Sequence, residues 1–229
     1  MDRLGCPDSD GDGRSDPDST WTVADGADAY PSDNTRWADS DGDGWDDTVD
    51  DACPMAAGDS TQDRIGCPDR DSDGWSDADG LWTVADGADA FPMDGTQWAD
   101  QDGDGYGDNA SGTLPDACPT QAGSSWQNGT LGCPDADGDG WSDAEDMAPS
   151  DATQWADADG DGWYDNAGGT MPDACPFTPG NSTAANRYGC PDSDGDGWDD
   201  AIDVLPNTPS QWSDQDGDGY GDNATGPEP

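Results

Sequence analysis

The sequence predicts an elongated tandem array, mostly irregular and without a conventional hydrophobic core. Three observations carry that prediction. Leu, Ile and Val together number 11 in 229 residues, and the hydrophobic fraction of 30% is mostly Ala and Trp. At about 25 cal/mol per Å² of apolar area, so few aliphatics do not offset roughly 1–2 kcal/mol of backbone entropy per residue. Second, 33 Gly and 18 Pro interrupt the chain, and no segment keeps an apolar period of 3.6 or 2 residues. Third, the sequence repeats itself.

The repeat has three markers. Gly-Cys-Pro-Asp starts at Gly5, Gly66, Gly132 and Gly189; Trp-Ala/Ser-Asp-x-Asp-Gly-Asp-Gly starts at Trp37, Trp98, Trp155 and Trp212; Asp-Ala-Cys-Pro starts at Asp51, Asp116 and Asp173. These define four units, 1–65, 66–131, 132–188 and a truncated 189–229, each with two Asp-rich loops. Length differences fall between the loops, as in Trp21-Thr22-Val23-Ala24 and Trp82-Thr83-Val84-Ala85, so the loops are the fixed element. Those two insertions are expected to form brief strands, and Trp198–Leu205 a short helical turn.

The loop at Asp192 is the most complete: Asp192-x-Asp194-x-Asp196-Gly197-x-x-Asp200-x-x-Asp203. Counting from its first Asp, carboxylates stand at positions 1, 3, 5, 9 and 12, Gly stands at 6, and position 7 offers its carbonyl. Such an oxygen-rich set suits a hard calcium ion, whereas magnesium prefers to keep waters in a strict octahedron. Positions 1, 3, 5 and 9 recur as Asp8, Asp10, Asp12 and Asp16; Asp39, Asp41, Asp43 and Asp47; Asp69, Asp71, Asp73 and Asp77; and Asp100, Asp102, Asp104 and Asp108. They continue as Asp135, Asp137, Asp139 and Asp143; Asp157, Asp159, Asp161 and Asp165; and Asp214, Asp216, Asp218 and Asp222. Position 12 is acidic in three loops (Asp50, Asp146, Asp203) and is Ser19, Gly80, Ser111, Gly168 or Thr225 in the others. There a later acid is expected to close the site: Asp28 and Asp89 foremost, then Asp116 and Asp173.

Acidic, Gly-rich chains are usually solvated and disordered. However, a spaced pattern kept eight times is not a product of composition, and 52 of the 54 acids are the shorter Asp. Two carboxylates about 4 Å apart repel by about 1 kcal/mol in water and about 4 kcal/mol at an effective dielectric of 20. Four or five converge only around a cation. The eight loops therefore imply at least eight calcium ions, and the net charge of −48 implies more. The same charge, with six Arg and no Lys, excludes nucleic acid as a partner. No apolar run approaches the ~20 residues of a membrane span, so no membrane insertion is expected.

On these loops and their interleaved Cys-Pro pairs, essentially the whole chain resembles thrombospondin type 3 repeats. The resemblance implies an extracellular, calcium-replete, disulfide-stapled array, with the loop aspartates as ligands. The chain departs from the family pattern at position 12 in five loops, in the Trp-Thr-Val-Ala insertions, and in the Trp or Tyr at position 7. EF-hand and dockerin loops would add flanking amphipathic helices, which the sequence lacks.

Each Asp-Ala-Cys-Pro is followed 14 or 15 residues later by Gly-Cys-Pro-Asp, which pairs Cys53 with Cys67, Cys118 with Cys133 and Cys175 with Cys190. Closing loops of ~15 residues contributes about 3 kcal/mol each and implies an oxidising compartment, extracellular or on the cell surface. Zinc ligation would want His or Cys-x-x-Cys, and neither occurs. Cys6 is left over, and no signal peptide follows Met1; both fit an excerpt of a longer array, or a chain joined head to tail with another copy. The 12 Trp either pack over the loops or form a sugar-binding ladder. Asn109, Asn128, Asn181 and Asn223 head Asn-x-Ser/Thr sequons and are candidate glycosylation sites.

An enzyme is not expected, because without His or Lys a Ser or Cys nucleophile lacks its usual base. The expected function is an extracellular calcium-binding structural protein, a rigid rod or fibre segment that self-associates. The alternatives are a spacer or adhesive stalk of a larger surface protein, or a glycan- or mineral-binding surface.

Overall fold

The structure, a computed structural model, describes residues 3–224 and Gly226. Met1, Asp2 and Pro227–Pro229, at the ends of the first and last repeat units, lie outside the described residues, as does Thr225 of the Asn223 sequon. The chain forms two compact units, Met1–Thr120 and Gln121–Pro229, and each holds four of the loops.

Regular structure is almost absent, as the composition predicts. Among the described residues there are two 3₁₀ turns, Val23–Asp25 and Val84–Asp86, and isolated bridges such as Asp77 to Asp89, but no sheet. The backbone explains why. In seven of the eight loops Gly at positions 4 and 6 adopts left-handed φ, as in Gly11 (84°) and Gly13 (93°), and in the loop at Asp69 Ser72 takes the first of these places. Two left-handed residues so close together break both helix and strand.

The two Trp-Thr-Val-Ala insertions form 3₁₀ turns and not the expected strands. Thr22 donates its N–H and hydroxyl to the Asp25 carboxylate, and the left-handed Gly26 ends the turn; Thr83, Asp86 and Gly87 repeat the arrangement. This local capping outweighs the strand preference of Val and Thr. Trp198–Leu205 contains a single turn, closed by the Asp203 N–H on the Asp199 carbonyl.

What is buried is polar. The buried apolar residues are Ala27, Ala88 and Ala148 with Cys67, Cys133 and Cys190, whereas Leu4 and Leu81 are fully exposed. Fully buried instead are Gln97, Gln154 and Gln211. The Gln154 amide donates to the Asn166 and Thr170 carbonyls and accepts from the Asn166 N–H; Gln97 does the same with Asn109 and Thr113. Disulfides join Cys53 to Cys67 and Cys175 to Cys190 with Cα atoms 5.0 Å apart; Cys118 and Cys133 are also disulfide-bonded, and Cys6 is a free thiol. A buried serine fixes each second cysteine: Ser60, Ser125 and Ser182 accept the N–H of Cys67, Cys133 and Cys190. Two residues earlier stand Gly58, Gly123 and Gly180, where a Cβ would lie 1.9 Å from the cysteine's backbone.

Aromatic rings link successive loops. Trp at position 7 of one loop stacks on the Trp two residues before the next, as in Trp75–Trp98, Trp141–Trp155 and Trp198–Trp212, with centroids 5.7–6.4 Å apart. In the first pair of loops Arg14 takes that place, 5.3 Å from the Trp37 ring.

Candidate metal centres

Each loop is first a hydrogen-bonded cage. The position-1 carboxylate accepts the N–H groups of positions 4 and 6 at 2.7–3.2 Å in all eight loops, as Asp8 does from Gly11 and Gly13. The position-9 N–H donates to the carbonyl just before the loop at 2.7–2.9 Å, as Asp16 does to Pro7 and Asp222 to Ser213. The position-5 carboxylate accepts the position-7 N–H, as Asp12 does from Arg14. These bonds turn the carboxylates of positions 1, 3 and 5 inward, and in loop after loop one oxygen from each lies within 4.8 Å of the others.

A further aspartate closes seven of the eight loops: Asp28, Asp51, Asp89, Asp116, Asp146, Asp173 and Asp203. Each donates its N–H to the carbonyl of position 8 (Ser15, Asp46, Ser76, Gly107, Ser142, Tyr164 and Asp199) at 2.8–3.0 Å. Each also accepts, on Oδ1, the N–H two residues further on at 2.6–2.8 Å. The bridge pins the backbone, and the side-chain bond aims the carboxyl into the loop. All but Asp51 are at least nine-tenths buried.

Position 12 is therefore not the rule. At the loop starting at Asp39, the expected Asp50 stands outside the cluster. It forms an ion pair with Arg36 and accepts the Asp46 N–H, while Asp51 faces Asp41, Asp43 and Asp47. Asp46, which holds the Trp37, Ala38 and Thr48 N–H groups, winds the intervening residues into a turn that carries Asp50 away. A sequence signal existed: all seven closing residues read Asp-x-x-Pro, from Asp28-Ala29-Tyr30-Pro31 to Asp203-Val204-Leu205-Pro206, and Asp50 does not. The buried glutamines carry a signal too, Thr/Ser-Gln-Trp at Gln97, Gln154 and Gln211. Among the described residues no acid takes the closing place at the loop starting at Asp214.

In the closed loops burial and crowding both disfavour the charged carboxylates. Burial first, and then the neighbouring carboxylates, raise the pKa of Asp28, Asp51, Asp116, Asp146, Asp173 and Asp203, and push Asp89 up to about 7. Oδ2 of Asp28, Asp51, Asp89, Asp116 and Asp173 is buried with no hydrogen-bond partner, as is Oδ2 of Asp10, Asp12, Asp41, Asp71, Asp73, Asp137, Asp139, Asp159, Asp194 and Asp196. Buried acceptors are normally paired. A metal ion fits this oxygen-only set, so these clusters can hold metal ions.

The sequons divide into two pairs. Asn128 and Asn181 are exposed, whereas Asn109 and Asn223 are half-buried and donate Nδ2 to the Thr96 and Ser210 carbonyls. No family model matches the chain, and no curated protein matches it.

Proposed function

We propose that the chain is an extracellular calcium-binding structural protein of the thrombospondin type 3 kind, whose order depends on its ions. Each of the seven closed loops takes at least one calcium through positions 1, 3, 5 and 9 and its Asp-x-x-Pro carboxylate. The observation that carries this reading is the convergence of the loop carboxylates together with buried, unpaired Oδ2 atoms in the loops and on five of the seven closing aspartates. Hard oxygen donors without His or thiolate favour calcium, and many carboxylates suit its variable coordination better than the octahedron of magnesium. Disulfides and a polar interior suit a protein working outside the cell, where calcium is plentiful. No group in the chain is proposed to catalyse a reaction.

The test is removal of the ions. In chelator, scattering should show an expanded chain and hydrogen exchange should lose protection at the closing aspartates, because metal-binding free energy here is folding free energy. Titrating calcium back should restore both, at roughly 10⁻⁴–10⁻³ M for the weaker loops. Unchanged scattering and exchange in excess chelator would overturn the reading.

A further inference from the structure

All eight loops carry the same aspartates at positions 1, 3, 5 and 9, but they differ at position 2. It is Ser in three loops (Ser9, Ser40, Ser193), Ala in two (Ala136, Ala158), Gln in two and Arg70 in one. In every loop the position-2 N–H donates to the position-9 carboxylate, at 2.8–3.4 Å. The second carboxylate oxygen is treated differently according to the side chain. Ser9, Ser40 and Ser193 donate their hydroxyls to Oδ2 of Asp16, Asp47 and Asp200 at 2.5–2.7 Å, so both oxygens of those aspartates are engaged. Arg70 brings its guanidinium to 3.5 Å from Oδ2 of Asp77.

Ala158 has no group to offer, and Oδ1 of Asp165 is buried without a hydrogen-bond partner. Asp159 and the closing Asp173, itself only 5% exposed, add buried and unpaired Oδ2 atoms to the same loop. Among the described residues no other position-9 aspartate carries such an oxygen. The difference has a direction. An oxygen that already accepts a hydroxyl must give up or share a charge-assisted bond to reach an ion, whereas a buried oxygen without a partner gains its first one. The ion therefore relieves a cost in the loop at Asp157 and incurs one in the loop at Asp192.

We infer that position 2 sets the calcium affinity of each loop: alanine leaves the position-9 carboxylate to the ion, and serine holds it back. The inference rests on the calcium reading and adds an order of filling that the recurring aspartates do not give. The loop at Asp157 fills before the loop at Asp192 in the same compact unit, so the array loads over a range of calcium concentrations and not in one step. The test is a calcium titration of the isotope-labelled full chain with its disulfides intact, followed by NMR at the position-6 amides, Gly162 for the first loop and Gly197 for the second. The midpoint at Gly162 should lie at the lower calcium concentration. Ala158→Ser should raise it by about two- to tenfold, and Ser193→Ala should lower the midpoint at Gly197 by a similar factor. Each exchange should leave the other loop's midpoint unchanged, which separates a local effect from a damaged fold; three sister loops already accommodate serine at this place. If both glycines respond to calcium but neither exchange moves its own midpoint, the inference is overturned and the calcium reading stands. If neither glycine responds to calcium at all, the calcium reading falls and takes the inference with it.

Discussion

The loop at Asp69 and the loop at Asp192 reach the same geometry by different routes. Asp89 closes the first from thirteen residues beyond the Ser76 carbonyl, across a capped 3₁₀ turn, whereas Asp203 closes the second from only four residues beyond Asp199. Loop-closure entropy puts the longer route at a disadvantage of about 1 kcal/mol. In the calcium-bound form proposed above, one carboxylate on the ion outweighs that. The loop and its clamp are therefore what the repeat holds constant, and the connection between them is free to grow.

The comparison breaks most visibly if the clamps themselves are removed. Asp89→Ala and Asp203→Ala should each weaken the ion in their own loop by at least tenfold, about 1.4 kcal/mol. Only Asp89→Ala should also release the 3₁₀ turn and the whole connection back to Ser76. Hydrogen exchange mapped by residue distinguishes the two, and equal loss of protection in both variants would refute the account.

Next in size is the buried glutamine behind a second-of-pair loop. Gln154→Leu leaves the Asn166 N–H and the Thr170 carbonyl without their partner, so it should destabilise the second compact unit by about 1–3 kcal/mol. Denaturant unfolding at saturating calcium measures it, and a change below about 0.5 kcal/mol would show that water serves these groups equally well.

A sharper comparison is between neighbours. Asp51→Asn should lower calcium affinity at the loop starting at Asp39, while Asp50→Asn, one residue away, should leave it unchanged. Breaking the partly exposed Arg36–Asp50 pair should shift stability by less than about 1 kcal/mol. If Asp50→Asn proves the more damaging for calcium, position 12 is the ligand after all.

A last comparison is in the metal-free form. Asp89 sits at about 7 when folded, against 3.8 for a free carboxyl, so the folded chain holds a proton that the unfolded chain has released. The stability this contributes is complete below about pH 3.8 and is lost as pH rises through about 7. In chelator, protection at Asp89 should therefore increase on acidification from about pH 8 to about pH 5, whereas in calcium the ion's affinity for this loop should fall over the same range. Protection that decreases on acidification in chelator would contradict the assignment.

Much of this was legible in the sequence because the loops are local: four carboxylates within nine residues need no knowledge of the fold. The irregular backbone was legible for the same reason, since alternating Gly sets it residue by residue. The closing aspartate was harder to read, because it lies anywhere from Asp146 to Asp89 in spacing and is chosen by a backbone bridge to position 8. Only its Asp-x-x-Pro signature is local. The insertions misread as strands because Val and Thr favour extended backbone, while the decisive groups were Asp25 and Gly26, which cap a turn. The buried glutamines escaped because polar residues are expected at the surface, and here they stand in for a core.

That polar interior bears on how the protein answers temperature. Unfolding ordinary domains exposes apolar surface, which raises the heat capacity and bends the stability curve into a dome. Here the newly wetted surface is largely aspartate, serine, glutamine and peptide, whose hydration lowers the heat capacity and offsets what the indoles add. The curve flattens, and neither cold nor moderate heat becomes the main threat to the fold. In the calcium-bound form proposed above, the governing variable becomes the activity of the ion, through mass action: the same chain would stand firm across a wide range of temperatures in a calcium-rich medium and slacken in a calcium-poor one.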